Sequence, residues 1–306
     1  MKVIVTGATG AIGGPLLTQL RAAGHEVTAV IRNPRNRDRV TRAGASPIVA
    51  DVLNRDELLR AVSGMTADAI MHQATALRSA RRRLRPDDPT GRLRTEGTAH
   101  LIDVANAVGA RRFVAQSLIT GYGYRDHGQR LLTEEDRFGV TVGSIADLVT
   151  TTTLAAEQQV FTAPDIDGIA LRYGMFYGPK AFSDLFADLM RKHFPVMPRH
   201  GGGHTGFIHI DDAAAAAVAA LESGKPDTAY NIVDDAPATW GEFCTAVSHA
   251  QNTPQPIGFP TWLLRLTVPY LGCLMIDTNL RVSNAKAARE LGWRPRYSSI
   301  EEGLAA

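Results

Sequence analysis

Cysteine is scarce in this chain. Among 306 residues only Cys244 and Cys273 occur, far apart and outside any CxxC pair, so neither a disulfide framework nor a cysteine zinc site is expected. An excess of charge of one sign is lacking as well. The formal net charge is +2, too small to make nucleic acid the main partner, and the local run Arg81, Arg82, Arg83 and Arg85 reads as a solvated face or loop. No charged and apolar leader precedes the strand expected from Lys2, which argues against an ordinary signal peptide, while the sparse cysteines make a reducing cytoplasm the expected location. Long hydrophobic runs are interrupted. The most apolar, GFPTWLLRLTVPYLGCLMI at 258–276, contains Arg265 and Pro269 and reads as the wall of a substrate lobe, so no membrane partner is expected. There is no internal repeat, and low complexity is confined to AAAAAVAAL at 213–221, a strong helix former.

What is present suits a large globular core: 44% of residues are hydrophobic and 21% charged. Apolar runs of strand length recur at 3–6, 27–31, 46–50, 69–72, 112–117 and 168–173, with amphipathic stretches between them. Continuous apolar strands spaced by helices imply a parallel sheet buried on both faces, hence an α/β, doubly wound (Rossmann) fold with ligands at the carboxyl ends of the strands. After Tyr173 the alternation loosens. Residues 1–174, with returning elements at 206–234, are expected to form the dinucleotide-binding domain. Residues 175–205 and 235–306 are expected to form a smaller C-terminal substrate lobe.

The first strand runs into TGATGAIG, Thr6 to Gly13. Glycines at 7, 10 and 13 allow φ > 0 and close approach of backbone N–H groups to a pyrophosphate, and the helix expected near Ala11 turns its positive end toward the anion. The candidate contacts are Gly7, Thr9, Gly10, Ala11, Ile12 and Gly13. Where a carboxylate would hold the ribose hydroxyls of NAD, the chain offers Arg32, Asn33, Arg35 and Arg37. Guanidinium groups there suit a 2′-phosphate, so NADPH is the expected cofactor. Asp51 and Val52, after the third strand, are placed to meet the adenine, or to cap the helix expected from Arg55.

Taken together with MHQAT at 71–75, LRYGMFYGP at 171–179, FIHIDDAAAAAVAAL at 207–221, YNIVD at 230–234 and ARELGWRP at 288–295, these residues resemble the extended short-chain dehydrogenase/reductase family over nearly the whole chain. The resemblance implies further cofactor contacts from Gln73, Ala74, Thr75, Thr153, Tyr173 and Met175. It also implies a proton relay of tyrosine, lysine, serine or threonine, and asparagine. With Glu157 fixing the register, the tyrosine place falls on Val149 and the lysine place on Thr153. The serine place falls on Leu118, beside Ser117, and the asparagine place on Arg94. All four differ from the family pattern, so the ordinary relay is expected to be absent.

Replacement candidates for contact with the reacting oxygen are Ser117 and Tyr122, with Thr120 and Tyr124 nearby. His72 reads as structural. Arg94 reads either as positive charge for an oxyanion or as an exposed helical arginine. His200, His204 and His209 lack metal-ligand spacing, and no metal is expected. Sugar-nucleotide relatives usually carry an arginine where this chain has Thr205 and Gly206, whereas the lobe is rich in Phe182, Phe186, Met190, Phe194, Met197, Trp262, Leu263, Leu266 and Tyr270. An apolar aromatic small-molecule substrate is therefore expected. The leading expectation is an NADPH-dependent ketoreductase of a bulky, polyketide-like ketone, monomeric or homodimeric, whose proton comes from the substrate or water. The alternative is a non-catalytic NADP-binding regulator or assembly subunit.

Overall fold

The computed structural model describes residues 1–76, 85 and 87–306. Arg81, Arg82 and Arg83 of the basic run lie outside the described residues, and Arg85 is exposed. The chain runs β1 (Lys2–Thr6), α1 (Gly13–Ala22), β2 (Glu26–Ile31), α2 (Arg37–Arg42), β3 (Ser46–Val49), α3 (Arg55–Ala61) and β4 (Ala69–His72). It continues through α4 (Pro89–Arg92), a π turn over Leu93–Gly97, α5 (Thr98–Val108), β5 (Arg112–Leu118), α6 (Asp147–Phe161), β6 (Asp167–Tyr173) and β7 (Met175–Tyr177). Then come α7 (Phe182–Arg191), β8 (Met197–Pro198), β9 (His204–Thr205), β10 (Phe207–His209), α8 (Ile210–Ser223) and β11 (Thr228–Ile232). The remainder holds β12 (Ala238–Thr239), α9 (Trp240–Ala250), β13 (Gly258–Phe259), α10 (Thr261–Thr267) and α11 (Pro269–Gly272), followed by a π turn over Cys273–Asp277 and two short α-helices.

Seven parallel strands form the main sheet in the order β11-β6-β5-β4-β1-β2-β3. Alternation along β1 shows why both faces are covered. Val3 and Val5 pack with Leu16, Leu17 and Leu20 of α1, whereas Ile4 packs on the opposite side with Leu58, Leu101 and Val104. Pro269 ends the continuous apolar stretch, leaving α10 and α11 as short separate helices. Among the described residues no helix is long and apolar enough to cross a membrane.

One expectation needs correction. The strand at 207–209 does not return to the main sheet but pairs with β7 outside it. Gly174 is the cause. Its N–H still bonds Ile232, but the next N–H, from Met175, bonds Gly206, so pairing passes from β11 to β10 over one residue. A Cβ on Gly174 would lie 2.6 Å from the Gly206 carbonyl oxygen. In the lobe, Phe186, Phe207, Trp240 and Phe243 make a second core, while Phe194, Trp262 and Leu266 are exposed.

Helix α6 buries Val149, Thr150, Thr153, Ala156, Glu157 and Val160, a stripe of helical spacing against the sheet. Its anchor is a buried ion pair. Arg172 of β6 donates from Nε and Nη2 to the two oxygens of Glu157, at 2.9 and 2.7 Å. Ser117 donates to the same carboxylate, and the Arg172 guanidinium lies 3.6 Å from the Phe138 ring centroid. Removing one member of such a pair strands a buried charge. Glu157→Ala is therefore expected to lower unfolding free energy by about 3 to 5 kcal/mol, and Ser117→Ala by about 1 kcal/mol, both read by urea denaturation. Equal losses in the two variants would contradict this account.

Candidate active site

The carboxyl ends of β1 and β4 meet at the glycine loop. Gly7 has φ +83, and a Cβ there would lie 2.3 Å from the Gln73 carbonyl oxygen. Gly13 is held as tightly, its Cβ meeting the Ala8 carbonyl at 2.3 Å. Gly10 differs: its Cβ would meet only the Gly7 carbonyl oxygen, at 3.2 Å, leaving its other side open. Helix α1 starts at Gly13 instead of Ala11, and no side chain caps its first N–H groups. The loop thus presents free donors and a positive helix end to an anion.

Buried polar atoms without partners extend from that loop along the strand ends. Both amide atoms of Gln73, the Thr153 hydroxyl and the Tyr173 hydroxyl are buried and make no hydrogen bond among the described residues. Such groups cost free energy unless a ligand satisfies them. Their positions match the expected cofactor contacts, so the residues present fit a dinucleotide. Ala74 and Thr75 follow Gln73 on the same strand end, and Met175 is buried beyond Gly174.

At the adenosine end the picture is mixed. Arg32, Asn33, Arg35 and Arg37 follow β2, with Arg32, Asn33 and Arg35 exposed. The Asn33 side chain accepts the Arg35 N–H at 3.0 Å, so it caps a turn. Arg39, absent from the sequence-based candidates, donates to the Thr9 carbonyl of the glycine loop at 3.5 Å. Its signal is its place in the same arginine run, within the first turn of α2. Val52 is buried and Asp51 accepts the Leu53 N–H at 3.0 Å. The cap of α3 belongs to Asn54, which accepts the Glu57 N–H, and not to Asp51.

At the nicotinamide end, Val149 and Thr153 lie four residues apart on the buried face of α6, the spacing at which the family pattern has tyrosine and lysine. Leu118 packs into the same cluster as Val149, Tyr124, Met175 and Tyr270. Ser117 faces the other way. It and Tyr122, the replacement candidates, are both engaged in the network that holds α6. The Tyr122 hydroxyl lies 2.9 Å from both Asn231 Oδ1 and the Thr133 carbonyl, alternative acceptors for its single proton, and accepts from Arg172 at 3.0 Å; burial pushes its phenol up to about 12. Thr120 is buried nearby.

The Tyr124 and Tyr270 hydroxyls lie 3.1 Å apart. Burial drives both phenols above their ordinary range, so neither is an activated acid. Arg94 is buried, 8% exposed, which removes the reading of it as an exposed helical arginine. The π turn rotates it inward beside those tyrosines. Burial lowers its pKa, while the two phenols and Asp88 act in the opposite direction. His72 is structural: its Nε2–H donates to the Leu93 carbonyl at 3.0 Å, leaving Nδ1 to accept from Thr6 at 2.8 Å. Burial lowers its pKa to about 4. Of the other histidines, His204 accepts from Arg281 and His209 accepts the Asp211 N–H. No group of three metal-ligating side chains occurs among the described residues.

Residues 3–233 match the model of the NAD dependent epimerase/dehydratase family. The chain is 35% identical to 3-diazoavenalumate denitrifying reductase of a Streptomyces species, with 99% of each protein covered. It is 26% identical to 4-hydroxy-2-methyl-3-oxo-4-farnesyl-3,4-dihydroquinoline-1-oxide ketoreductase of Stigmatella aurantiaca, covering 100% of this chain and 95% of that one. The UDP-glucose 4-epimerase of Thermus thermophilus, solved in complex with NAD, superposes with a TM-score of 0.81 at 22% identity, covering 100% and 97% of the two chains. That likeness speaks to the fold. The family and the reductase relatives support an oxidoreductase with a nicotinamide dinucleotide cofactor.

Because Gly10 alone of the three glycines faces open space, Gly10→Val is expected to abolish dinucleotide binding while leaving the protein folded. Titration followed by nicotinamide fluorescence, with circular dichroism as the folding control, checks this; unchanged affinity would sink the loop assignment. From its matched length and its glycine loop, the chain belongs to the NAD dependent epimerase/dehydratase family, as an atypical extended short-chain dehydrogenase/reductase with Val149 and Thr153 at the places of the family's tyrosine and lysine.

Proposed function

We propose that this protein delivers a hydride from NADPH to an aromatic acceptor and that no protein group supplies a proton. The observation that carries the reading is the face of α6. Val149 and Thr153 cannot protonate an oxygen, and Ser117 and Tyr122 are tied to Glu157 and Arg172. General acid catalysis is worth about 10² to 10⁴ fold, and positioning can be worth more. An enzyme without a donor therefore keeps most of its advantage when the acceptor needs none. The preference for NADPH rests on Arg32 at the end of β2 and on Arg39 over the loop.

When bound, NADPH supplies the hydride. The glycine loop holds the pyrophosphate, and the unpartnered Gln73 amide and Thr153 hydroxyl satisfy polar atoms of the cofactor. Leu118, Val149 and Met175 exclude water from the reacting face, and Tyr124 with Tyr270 offers an aromatic wall.

An arenediazonium acceptor meets this chemistry most simply. The hydride forms the new C–H bond, the C–N bond breaks, and its electron pair leaves with dinitrogen. Charge balances with no proton. The relative named as a denitrifying reductase of a diazo compound, similar over 99% of the chain, favours this acceptor. A second reading, reduction of a bulky polyketide-like ketone, is favoured by the ketoreductase relative and takes its proton from a substrate hydroxyl or water. Incubation with NADPH deuterated at nicotinamide C4 separates the two. The first predicts deuterium on the carbon vacated by nitrogen and one dinitrogen per NADPH. The second predicts deuterium on a carbinol carbon. Tight NADPH binding with no deuterium transfer to an aromatic diazonium or ketone would overturn both and support the non-catalytic alternative.

A further inference from the structure

Two arginines are buried among the described residues, and only one is paired. Arg172 has Glu157. Arg94, with 8% of its surface exposed, makes no hydrogen bond or ion pair among the described residues. Its charged neighbourhood consists of the Tyr124 and Tyr270 phenols and, on the preceding turn of the chain, Asp88. The Asp88 Oδ1 accepts the N–H groups of Thr90 and Gly91, at 2.9 and 3.3 Å, and so caps α4. Guanidinium stays protonated at neutral pH even when desolvated. A buried charge without a hydrogen-bonded partner is costly, and such perturbed buried groups mark candidate functional sites.

The surroundings restrict what that partner can be. Arg94 lines a recess with His72, Ala74, Thr75, Thr98, Gln116 and Ala156, between the ends of β4 and β5 and the helices α5 and α6. The Thr98 hydroxyl is a second buried group without a partner there. His72 has both ring nitrogens occupied and is neutral. Toward the lobe, the Arg94 neighbours Tyr124 and Tyr270 belong to the apolar cluster of Val149, Leu118 and Met175. Arg94 therefore lies between a small polar recess beside Ala74 and Thr75 and an apolar cluster that carries two phenols. The π turn at Leu93–Gly97 is what places the side chain there, and such local distortions of helices occur often at ligand sites.

We propose that Arg94 is a substrate-binding residue that receives the carboxylate of an aromatic acid, the planar fork of the guanidinium matching the two carboxylate oxygens. The Thr98 hydroxyl is the second donor. The inference rests on the proposed function for its assumption that the acceptor binds against the aromatic cluster, but its test does not need turnover. Arg94 fixes one end of the acid, and the reducible group lies at the other end, toward Val149 and the strand ends.

The test uses the full-length protein saturated with NADP⁺ and titrated by calorimetry with trans-cinnamate, its methyl ester and its amide. Cinnamate is expected to bind, and the two neutral analogues at least about 10-fold more weakly. Arg94→Met is expected to weaken cinnamate by about 10- to 100-fold while leaving NADP⁺ affinity and binding of the ester unchanged. Arg94→Lys, which keeps the charge but not the fork, should restore part of the loss. Thermal unfolding without ligand separates this role from a structural one: Arg94→Met should be at least as stable as wild type, because a charge that the chain leaves unpaired has been removed. Failure of cinnamate to bind, equal binding of acid and ester, or a fall in NADP⁺ affinity in Arg94→Met would each overturn the assignment. Absence of hydride transfer in the deuterium experiment would overturn the proposed function and leave this binding result standing.

Discussion

Everything functional in this protein hangs on how closely β1 approaches β4. The two strands run parallel as neighbours, and the chain leaving β1 turns away beneath the residue that leaves β4. A Cβ on Gly7 would lie 2.3 Å from the Gln73 carbonyl oxygen, so the turn exists only with glycine. That approach opens the crevice at the point where strand order reverses, the usual ligand site of a doubly wound sheet. It puts the glycine loop on one wall and the unpartnered Gln73 amide on the other. The same register places His72 against Thr6, which locks the strand ends together from below.

The two buried arginines divide the remaining work. Arg172, bonded through both Glu157 oxygens and stacked on Phe138, joins β6 to α6. It also engages Ser117 and Tyr122, whose hydroxyls complete that network. Arg94 has no such partner among the described residues, and its electrostatic neighbours are the Tyr124 and Tyr270 phenols and Asp88. Charge serves structure on one side of α6 and stays available on the other. Between them the helix shows valine and threonine where the family pattern places acid and cation, so the reacting end of the site is apolar with one positive contact beyond it.

Much of this is legible in the sequence, and the failures have physical causes. The six apolar runs become parallel strands because period and length agree when both faces are buried, and the glycine spacing locates the loop. The strand at 207–209 goes to a different sheet than expected because its apolar residues look the same in either one; the switch is made by the backbone at Gly174. Asp51 reads as a possible cap from its distance to Arg55, but Asn54 stands immediately before the helix and takes the bond. Ser117 and Tyr122 sit at the right depth along the sheet, yet alternation turns Ser117 to the far side and a buried arginine claims Tyr122. Arg94 is the hardest to read. In RTEGTAHL regular helical spacing leaves its direction open, whereas the π turn shifts the register and carries the guanidinium inside. Arg39 escapes notice because nothing in the run distinguishes it from its neighbours until α2 folds back on the loop.

The central claim is that hydride moves without a proton from the protein. Single-turnover reduction of the acceptor identified by deuterium transfer, followed in H₂O and D₂O with protonated and C4-deuterated NADPH, tests it most directly. The account predicts a clear isotope effect from the cofactor and a solvent effect of about 1 for an acceptor that needs no proton. A solvent effect of about 2 or more on the same step, abolished by Tyr124→Phe, would contradict it, because a protein hydroxyl would then be moving in the transition state.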